Sequence, residues 1–100
     1  MNKDIEKTKV IFRMGVGQEV LAVFPALAGT NKYYQDCLCY AHVGQHSPCS
    51  IDYVRQFTLP AKPSEFKALQ EELEFLGYNL QIVKRFTRKD LESRKAQVQR

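Results

Sequence analysis

A β-hairpin is predicted by the stretch Lys9-Val-Ile-Phe-Arg-Met-Gly-Val-Gly-Gln-Glu-Val-Leu-Ala-Val-Phe24. Two runs rich in β-branched and aromatic residues flank a short turn that contains two glycines, and this pattern is typical of antiparallel strands. The second run, 19–24, carries apolar residues at consecutive positions, so we expect a central strand that is buried on both faces. Residues 25–36 contain Pro, Gly and Asn and are predicted to form a loop.

A third strand and a short helical turn are predicted after this loop. Apolar and polar residues alternate from Asp36 to Val43, which favours a strand. Ser47-Pro48 combines a capping residue with a proline suited to the first helical position, so we expect a turn that carries Ile51 and Val54 inward. An edge strand over 53–58 is the alternative for this part of the chain.

The clearest helix is predicted from Pro63 to about Leu76, with Gly77 placed to end it in the left-handed conformation. A strand from Tyr78 to Val83 follows. The last segment, Thr87 to about Val98, has only two large apolar side chains, so we expect an exposed and frayed helix. The apolar face of the first helix consists of Phe66, Leu69, Leu73 and Leu76.

These elements predict an α+β fold, with a three- to four-stranded, mainly antiparallel sheet, one amphipathic helix packed on one face and a basic C-terminal helix. A chain of 100 residues builds one core. We expect a flexible N-terminus over 1–8, a single α+β domain over 9–86 and a basic helix or tail over 87–100. The second sheet face would leave an apolar patch that needs a cover, either a second copy, another protein, or the C-terminal helix with the loop. That patch consists of Ile11, Leu21, Val23, Leu38 and Tyr40.

The composition favours a cytoplasmic protein without a membrane partner. No apolar run approaches the roughly 20 residues that a bilayer crossing requires. The first seven residues are polar and mixed in charge, unlike the apolar centre of a signal peptide. An odd number of cysteines leaves at least one thiol unpaired and fits a reducing compartment better than a disulfide scaffold.

All three cysteines and both histidines lie in Cys37-Leu-Cys-Tyr-Ala-His-Val-Gly-Gln-His-Ser-Pro-Cys49. Thiolate and imidazole are the ligands that zinc prefers, so a zinc site is one hypothesis, although the spacing matches no familiar zinc motif. A thiol enzyme is another, with His46 and Cys49 as the one short pairing in the loop. The alternative is that Cys37 and Cys39 are small buried residues of the sheet and that no cofactor is bound. The candidate zinc ligands are Cys37, Cys39, His42, His46 and Cys49.

The motif Tyr-x-His-Val-Gly-Gln-His over 40–46 resembles a group of short, uncharacterised bacterial proteins. Similar segments are 10–13, 20–25 and 76–85, so the resemblance covers about residues 9 to 95. It implies no activity. In that group a small hydroxyl residue is usual at the position of Cys39 and small residues are usual around Cys49, which implies that these thiols are not ligands the group requires.

The basic charge of the chain belongs to its C-terminal end. Residues 84–100 contain seven basic and two acidic side chains, whereas residues 1–83 are close to balanced. Such a cluster neutralises phosphates, so nucleic-acid binding is a candidate function; a solvated helix with Arg88–Glu92 and Asp90–Arg94 pairs is the alternative. The candidate phosphate contacts are Lys84, Arg85, Arg88, Lys89 and Lys95.

The sequence as a whole favours a small non-enzymatic binding or accessory protein that acts through protein contacts, including a homodimer. Phosphate binding and a cysteine-based site are the alternatives. We expect one functional surface where the third strand ends near the basic segment. Its residues are Tyr40, His42, Gln45, His46, Arg85 and Arg88.

Overall fold

The computed structural model describes residues 7–30, 32–41 and 45–98 and has an α+β fold. Over these residues six strands form an open sheet, in which the fourth, third, second, first and fifth strands along the chain are neighbours in that order and the sixth also pairs with the first. The predicted fold class is confirmed, and the sheet has more strands than expected. The elements are β1 (Thr8–Met14), β2 (Val20–Ala28), β3 (Asp36–Ala41), β4 (Gln45–Ser50), α1 (Ile51–Phe57), β5 (Leu59–Pro60), α2 (Pro63–Phe75), β6 (Leu80–Ile82) and α3 (Arg88–Val98).

The predicted hairpin is present, with β1 and β2 antiparallel and Ile11 opposite Val23. Its turn closes through a bond from Gly15 N to Glu19 O of 2.7 Å. The strand β2 is central and continues to Ala28, where the sequence predicted a loop. The extra length contains an irregularity, because Pro25–Leu27 has no partner on β3 between two paired positions.

The outer edge of β1 is shared by two short strands. Residues 8–10 pair in parallel with β6, whereas Arg13 and Met14 pair antiparallel with β5. Thr8, which the sequence placed in the N-terminal segment, is therefore the first residue of β1. The expectation of a flexible segment over 1–6 lies outside the described residues.

The prediction that Ser47-Pro48 opens a helix is wrong. Both residues belong to β4, an edge strand, where a proline is tolerated because no ladder partner needs its N–H. The helix α1 begins three residues after Pro48, and Ser50 caps it by accepting a hydrogen bond from Tyr53 N at 3.3 Å. Ile51 is buried in the core as expected. The predicted third strand is present as β3, Asp36–Ala41. The last part of the prediction, 42–43, lies outside the described residues.

Two hydrophobic cores lie on opposite faces of the sheet. The helix α2 packs on the face that carries Phe12, Phe24 and Tyr40, and α1 covers the face that carries Val23 and Cys39. The predicted apolar patch is therefore wrong in its composition. Register explains why, since Ala22 pairs with Tyr40 and Val23 with Cys39, which places Tyr40 on the face opposite to Val23. Ile11 and Leu21 lie with Val23, whereas Leu38 and Tyr40 lie on the α2 side.

The predicted helix 63–76 is confirmed as α2, with one correction at its end. Phe66, Leu69 and Leu73 are buried, and Gly77 adopts a φ of 111°, which suits glycine. Leu76 was expected on the apolar face, but it follows the last helical turn and is 54% exposed. No helix of the described chain is long and apolar enough to cross a membrane.

The helix α3 packs against β2, so the expectation of an exposed, frayed helix is wrong. Its contacts are hydrogen bonds rather than an apolar stripe. Arg94 donates to Tyr34 O at 2.8 Å and also to Pro25 O. Gln97 bridges the same strand, donating to Ala26 O at 2.7 Å and accepting from Ala28 N at 2.8 Å. These side chains satisfy backbone groups that the irregularity in β2 leaves unpaired.

Candidate functional site

A cleft of about 430 Å³ lies between α1 and the start of α3. A second cleft of about 300 Å³ adjoins it, between α1, β1 and the segment that leads into α3. Arg55 and Phe86 line both, so the two clefts are neighbours, and we call them together the basic cleft. Its charged lining residues are Arg13, Asp52, Arg55, Lys84, Arg85, Arg88 and Arg94.

The centre of the basic cleft is a contact between Arg55 and Phe86. The Arg55 guanidinium lies 5.3 Å from the centre of the Phe86 ring, within the range of a cation–π interaction. Phe86 is half-buried and packs against the core beneath α1. Phe86 therefore occupies a core position with Arg55 over its ring.

Four cations of the cleft are exposed. Arg55, Lys84, Arg85 and Arg88 form no ion pair with any carboxylate in the described residues. Among the described residues, Asp52 is the one acidic residue in the lining. An excess of unpaired positive charge around a concave surface attracts anions.

The other two arginines of the cleft are held by the protein itself. Arg13 donates to Thr58 Oγ1 at 2.9 Å and to Thr58 O at 2.8 Å. Arg94 donates to two backbone carbonyls of the β2–β3 region. Burial lowers the pKa of Arg13 and of Arg94, yet a guanidinium remains charged at neutral pH. They add positive potential to the cleft, and these contacts already use part of the hydrogen-bonding capacity of each guanidinium.

The structure brings together three of the five residues that the sequence offered for phosphate binding. Lys84, Arg85 and Arg88 line the basic cleft. Lys89 is exposed outside its lining, and Lys95 lies over the ring of Tyr34 with Nζ 5.3 Å from the ring centre. Arg55 and Arg13 were not predicted, since they come from distant elements and no local pattern marks them.

The alternative of a helix with its own ion pairs is not what the structure shows. Asp90 was expected to pair with Arg94, but it forms an ion pair of 3.0 Å with Lys9 of β1. Burial raises the pKa of Asp90, but hydrogen bonds from Lys9 and Thr87 more than offset this and hold it below its ordinary value. Asp90 also accepts from Thr87 N at 2.9 Å, so it caps α3 while tying it to the sheet.

The motif around residues 40–46 belongs to the opposite side of the sheet. His46 Nε2 lies 2.7 Å from the Tyr78 hydroxyl, and Tyr40 donates to the carboxylate of Glu72 on α2. This hydrogen bond raises the pKa of Tyr40, and burial raises that of Tyr78, so both phenols stay neutral at physiological pH. The group forms a hydrogen-bonded aromatic cluster with Phe24, whose ring centre is 5.1 Å from that of Tyr78.

The single surface expected from the sequence is therefore not assembled. Tyr40 and His46 face α2, whereas Arg85 and Arg88 line the cleft on the α1 side. Gln45 begins β4, and nothing further is described of its side chain. His42 lies outside the described residues.

The three cysteines converge on the α1 side of the sheet. Cys39 and Cys49 form a disulfide, and the Cys37 Sγ lies 3.6 Å from the Cys49 Sγ. The sequence favoured free thiols and gave no signal for this pair. All three sulfurs lie within 4.8 Å of one another, so a metal ion is compatible with this cluster when the disulfide is open.

The expected combination of thiols with His46 is not formed. Tyr40 pairs with His46 and Cys37 with Cys49 across β3 and β4, and alternation sends the histidine to the other face. His46 is thus neither a shared ligand nor a base for Cys49. Burial raises the pKa of Cys37 to about 12, so this thiol is protonated at neutral pH and is a poor nucleophile.

Comparison with known proteins gives no relative to guide the interpretation. No family model matches the chain, and no curated protein and no solved structure matches it. The resemblance to short bacterial proteins through the motif at 40–46 stays a prediction.

Proposed function

We propose that this protein is a non-enzymatic binding protein that holds the phosphate backbone of a nucleic acid in the basic cleft. The observation that supports the proposal is the set of four exposed cations without acidic partners in the described chain. They come from two separate parts of the sequence, α1 and residues 84–88, which lead into α3 and include its first residue.

The cleft suits successive phosphates better than one isolated anion. Its two parts adjoin through Arg55, with Arg88 lining one part and Lys84 and Arg85 the other. Packing against Phe86 orients Arg55 before a ligand arrives, and this lowers the entropy lost on binding. Guanidinium groups bind phosphate oxygens through two parallel hydrogen bonds.

Phosphate contacts position a protein on a nucleic acid but carry no sequence information. We therefore expect similar affinities for oligonucleotides of different sequence, and a strong dependence on salt because bound counterions are released.

The test is fluorescence anisotropy of a labelled mixed-sequence DNA duplex over a salt series. Arg55→Ala and Arg88→Ala remove one cleft cation each. Lys67→Ala is the matched control, because it removes one exposed charge from α2, which packs on the opposite face. Each cleft variant should weaken binding about tenfold and reduce the salt slope by about 0.9, whereas Lys67→Ala should do neither.

Equal losses in all three variants would contradict the proposal, since they would indicate attraction by net charge alone. A duplex that does not bind at low salt would also contradict it.

A protein partner or a second copy of the chain, which the sequence favoured, is the second candidate. The supporting observation is an exposed apolar group beside the cleft. The rings of Tyr53 and Phe57 stack with centres 5.4 Å apart, and Leu59 is 71% exposed. Sedimentation of the protein alone, with Leu59→Lys as the variant, tests self-association through this group: a dimer that the variant disrupts supports it, and a monomer at high concentration removes the homodimer.

Two finer proposals depend on the redox state of the cysteines. Zinc binding would need an open Cys39–Cys49 bond and a fourth ligand, since structural zinc is four-coordinate. A cytoplasmic location remains a proposal from the sequence, and the disulfide does not favour it, because disulfides persist in oxidising compartments.

A further inference from the structure

Within the part of the chain that the structure describes, the cysteine cluster offers three sulfurs and no fourth ligand. Cys37, Cys39 and Cys49 are the only group of three or more His, Cys, Asp or Glu side chains in the described chain that could hold a metal ion. Cys37 and Cys39 are 0% and 4% exposed, and they pack with Val23, Ile51 and Val54. The site is thus a set of three convergent sulfurs in an apolar environment.

The strand geometry fixes this convergence. Cys37 lies directly opposite Cys49 on neighbouring antiparallel strands, and Cys39 is two residues further along the same face. Strand β4 is the outer strand of the sheet and Cys49 is only half-buried, so a ligand approaches the cluster past Cys49.

We propose that, after a dithiol reductant opens the Cys39–Cys49 disulfide, the three sulfurs bind a trivalent thiophilic metalloid, arsenite or antimonite, as a neutral tris-thiolate. The reductant becomes a disulfide, and its two hydrogens go to the sulfurs of Cys39 and Cys49. Arsenous acid then condenses with three thiols: three As–O bonds and three S–H bonds break, three As–S bonds form and three waters leave. The oxidation state of arsenic does not change.

Charge balance favours this class of ligand over the usual metal cations. Three thiolates carry three negative charges, so a trivalent centre leaves no net charge in the core. A divalent or monovalent cation would leave one or two negative charges buried, which is costly in an apolar site. The condensation consumes protonated thiols and releases water, so it forms no buried ion.

The experiment uses the full chain, reduced with a phosphine and freed of reductant without oxygen. Sodium arsenite is titrated in and the product is examined by native mass spectrometry. The expected species has one arsenic and has lost three hydrogens, with no hydroxyl on the arsenic. Circular dichroism of the reduced protein checks that the strands that position the sulfurs remain folded.

Two variants separate a three-sulfur site from its neighbours. Cys37→Ala removes the third sulfur and should weaken arsenite binding about 100-fold, because one intramolecular ligand is lost. His46→Ala removes the imidazole that the sequence suggested as a ligand and should leave the affinity unchanged.

A product that keeps a hydroxyl on arsenic would overturn the proposal, because it would show two-coordinate binding. So would a loss of affinity in His46→Ala, a reduced protein that unfolds, or zinc binding as strong as arsenite binding. The test for a hydroxyl on arsenic needs only the unaltered protein. None of these outcomes bears on the basic cleft.

Discussion

Arg94 is a buried cation that the protein holds with carbonyl oxygens. It is 4% exposed and donates to Tyr34 O and Pro25 O, which no strand partner satisfies. Buried backbone acceptors without a donor cost free energy. The Arg94 guanidinium therefore supplies hydrogen bonds of the kind that a neighbouring strand would otherwise donate. Arg88, six positions earlier, has no such role and is exposed.

We expect Arg94→Met to lower the free energy of unfolding by about 2–4 kcal/mol, because two carbonyls lose their donor while the methionine keeps the volume of the stem. Urea unfolding followed by circular dichroism measures the change. Arg88→Met is the control and should stay within about 0.5 kcal/mol. Similar destabilisation in the two variants would show that the contacts of Arg94 do not anchor α3.

At the scale of elements, Gly29, which directly follows β2, lies very close to the backbones of β3 and β4. A Cβ at this position would lie 2.6 Å from Cys37 O and 2.8 Å from Cα of Pro48, so the end of β2 packs directly on β3 and β4. By contrast, a Cβ added at Gly17, in the β1–β2 turn, would meet no described atom within 4 Å.

Gly29→Ala should therefore destabilise the fold by about 1–3 kcal/mol, since backbone atoms rather than a flexible side chain must move. Gly17→Ala should change the stability by less than about 0.5 kcal/mol. Thermal unfolding of both variants beside the unaltered protein tests the contrast. A Gly29→Ala protein as stable as the original would mean that β4 shifts away at little cost.

The elements that sequence reasoning predicted are those with a strong local signal. The β1–β2 hairpin follows from two β-rich runs around a glycine turn, and α2 follows from apolar residues at helical spacing with Gly77 after them. The errors occur where contacts between residues far apart in the sequence determine the local structure. Pro25–Leu27 has no partner on β3 and receives hydrogen bonds from α3 instead, and α3 docks through these bonds and through the Lys9–Asp90 ion pair.

The basic cleft was predictable only where its residues are close together in the sequence. Lys84, Arg85 and Arg88 are close in sequence and stand out as a charge run. Arg55 joins them because α1 lies beside the segment that leads into α3, and no pattern near Arg55 indicates this. Cys39 and Cys49 likewise meet through the register of β3 and β4, which the sequence did not predict.

For the whole molecule, the Lys9–Asp90 ion pair joins the first strand to the last helix across 81 positions of the chain. Asp90 is 1% exposed, and its pKa lies below the ordinary value of about 3.9 because Lys9 and Thr87 stabilise the carboxylate against the effect of burial. The unfolded chain therefore takes up a proton at higher pH than the folded one.

The contribution of the Asp90 carboxylate to the free energy of unfolding should thus be fully present above about pH 4. It should be lost as the pH falls through the pKa of Asp90 in the folded protein. We expect Asp90→Asn to be less stable than the unaltered protein at neutral pH and to lose less stability on acidification. Urea midpoints at neutral and acidic pH measure both effects. Asp52→Asn, at an exposed carboxylate, is the control; if its pH profile changes as much, Asp90 is not the group responsible.

Both margins of the sheet carry residues that obstruct growth of the sheet into fibrils. On one side β4 contains Pro48, which has no N–H to offer an incoming strand. On the other side β1 is flanked by β5 and β6, of two and three residues, and β5 contains Pro60. Short, proline-interrupted margins give little template for cross-β stacking, so we expect that heat-denatured rather than native protein would seed amyloid-like aggregates. Any self-association of the folded chain would then join side-chain surfaces instead of extending the sheet.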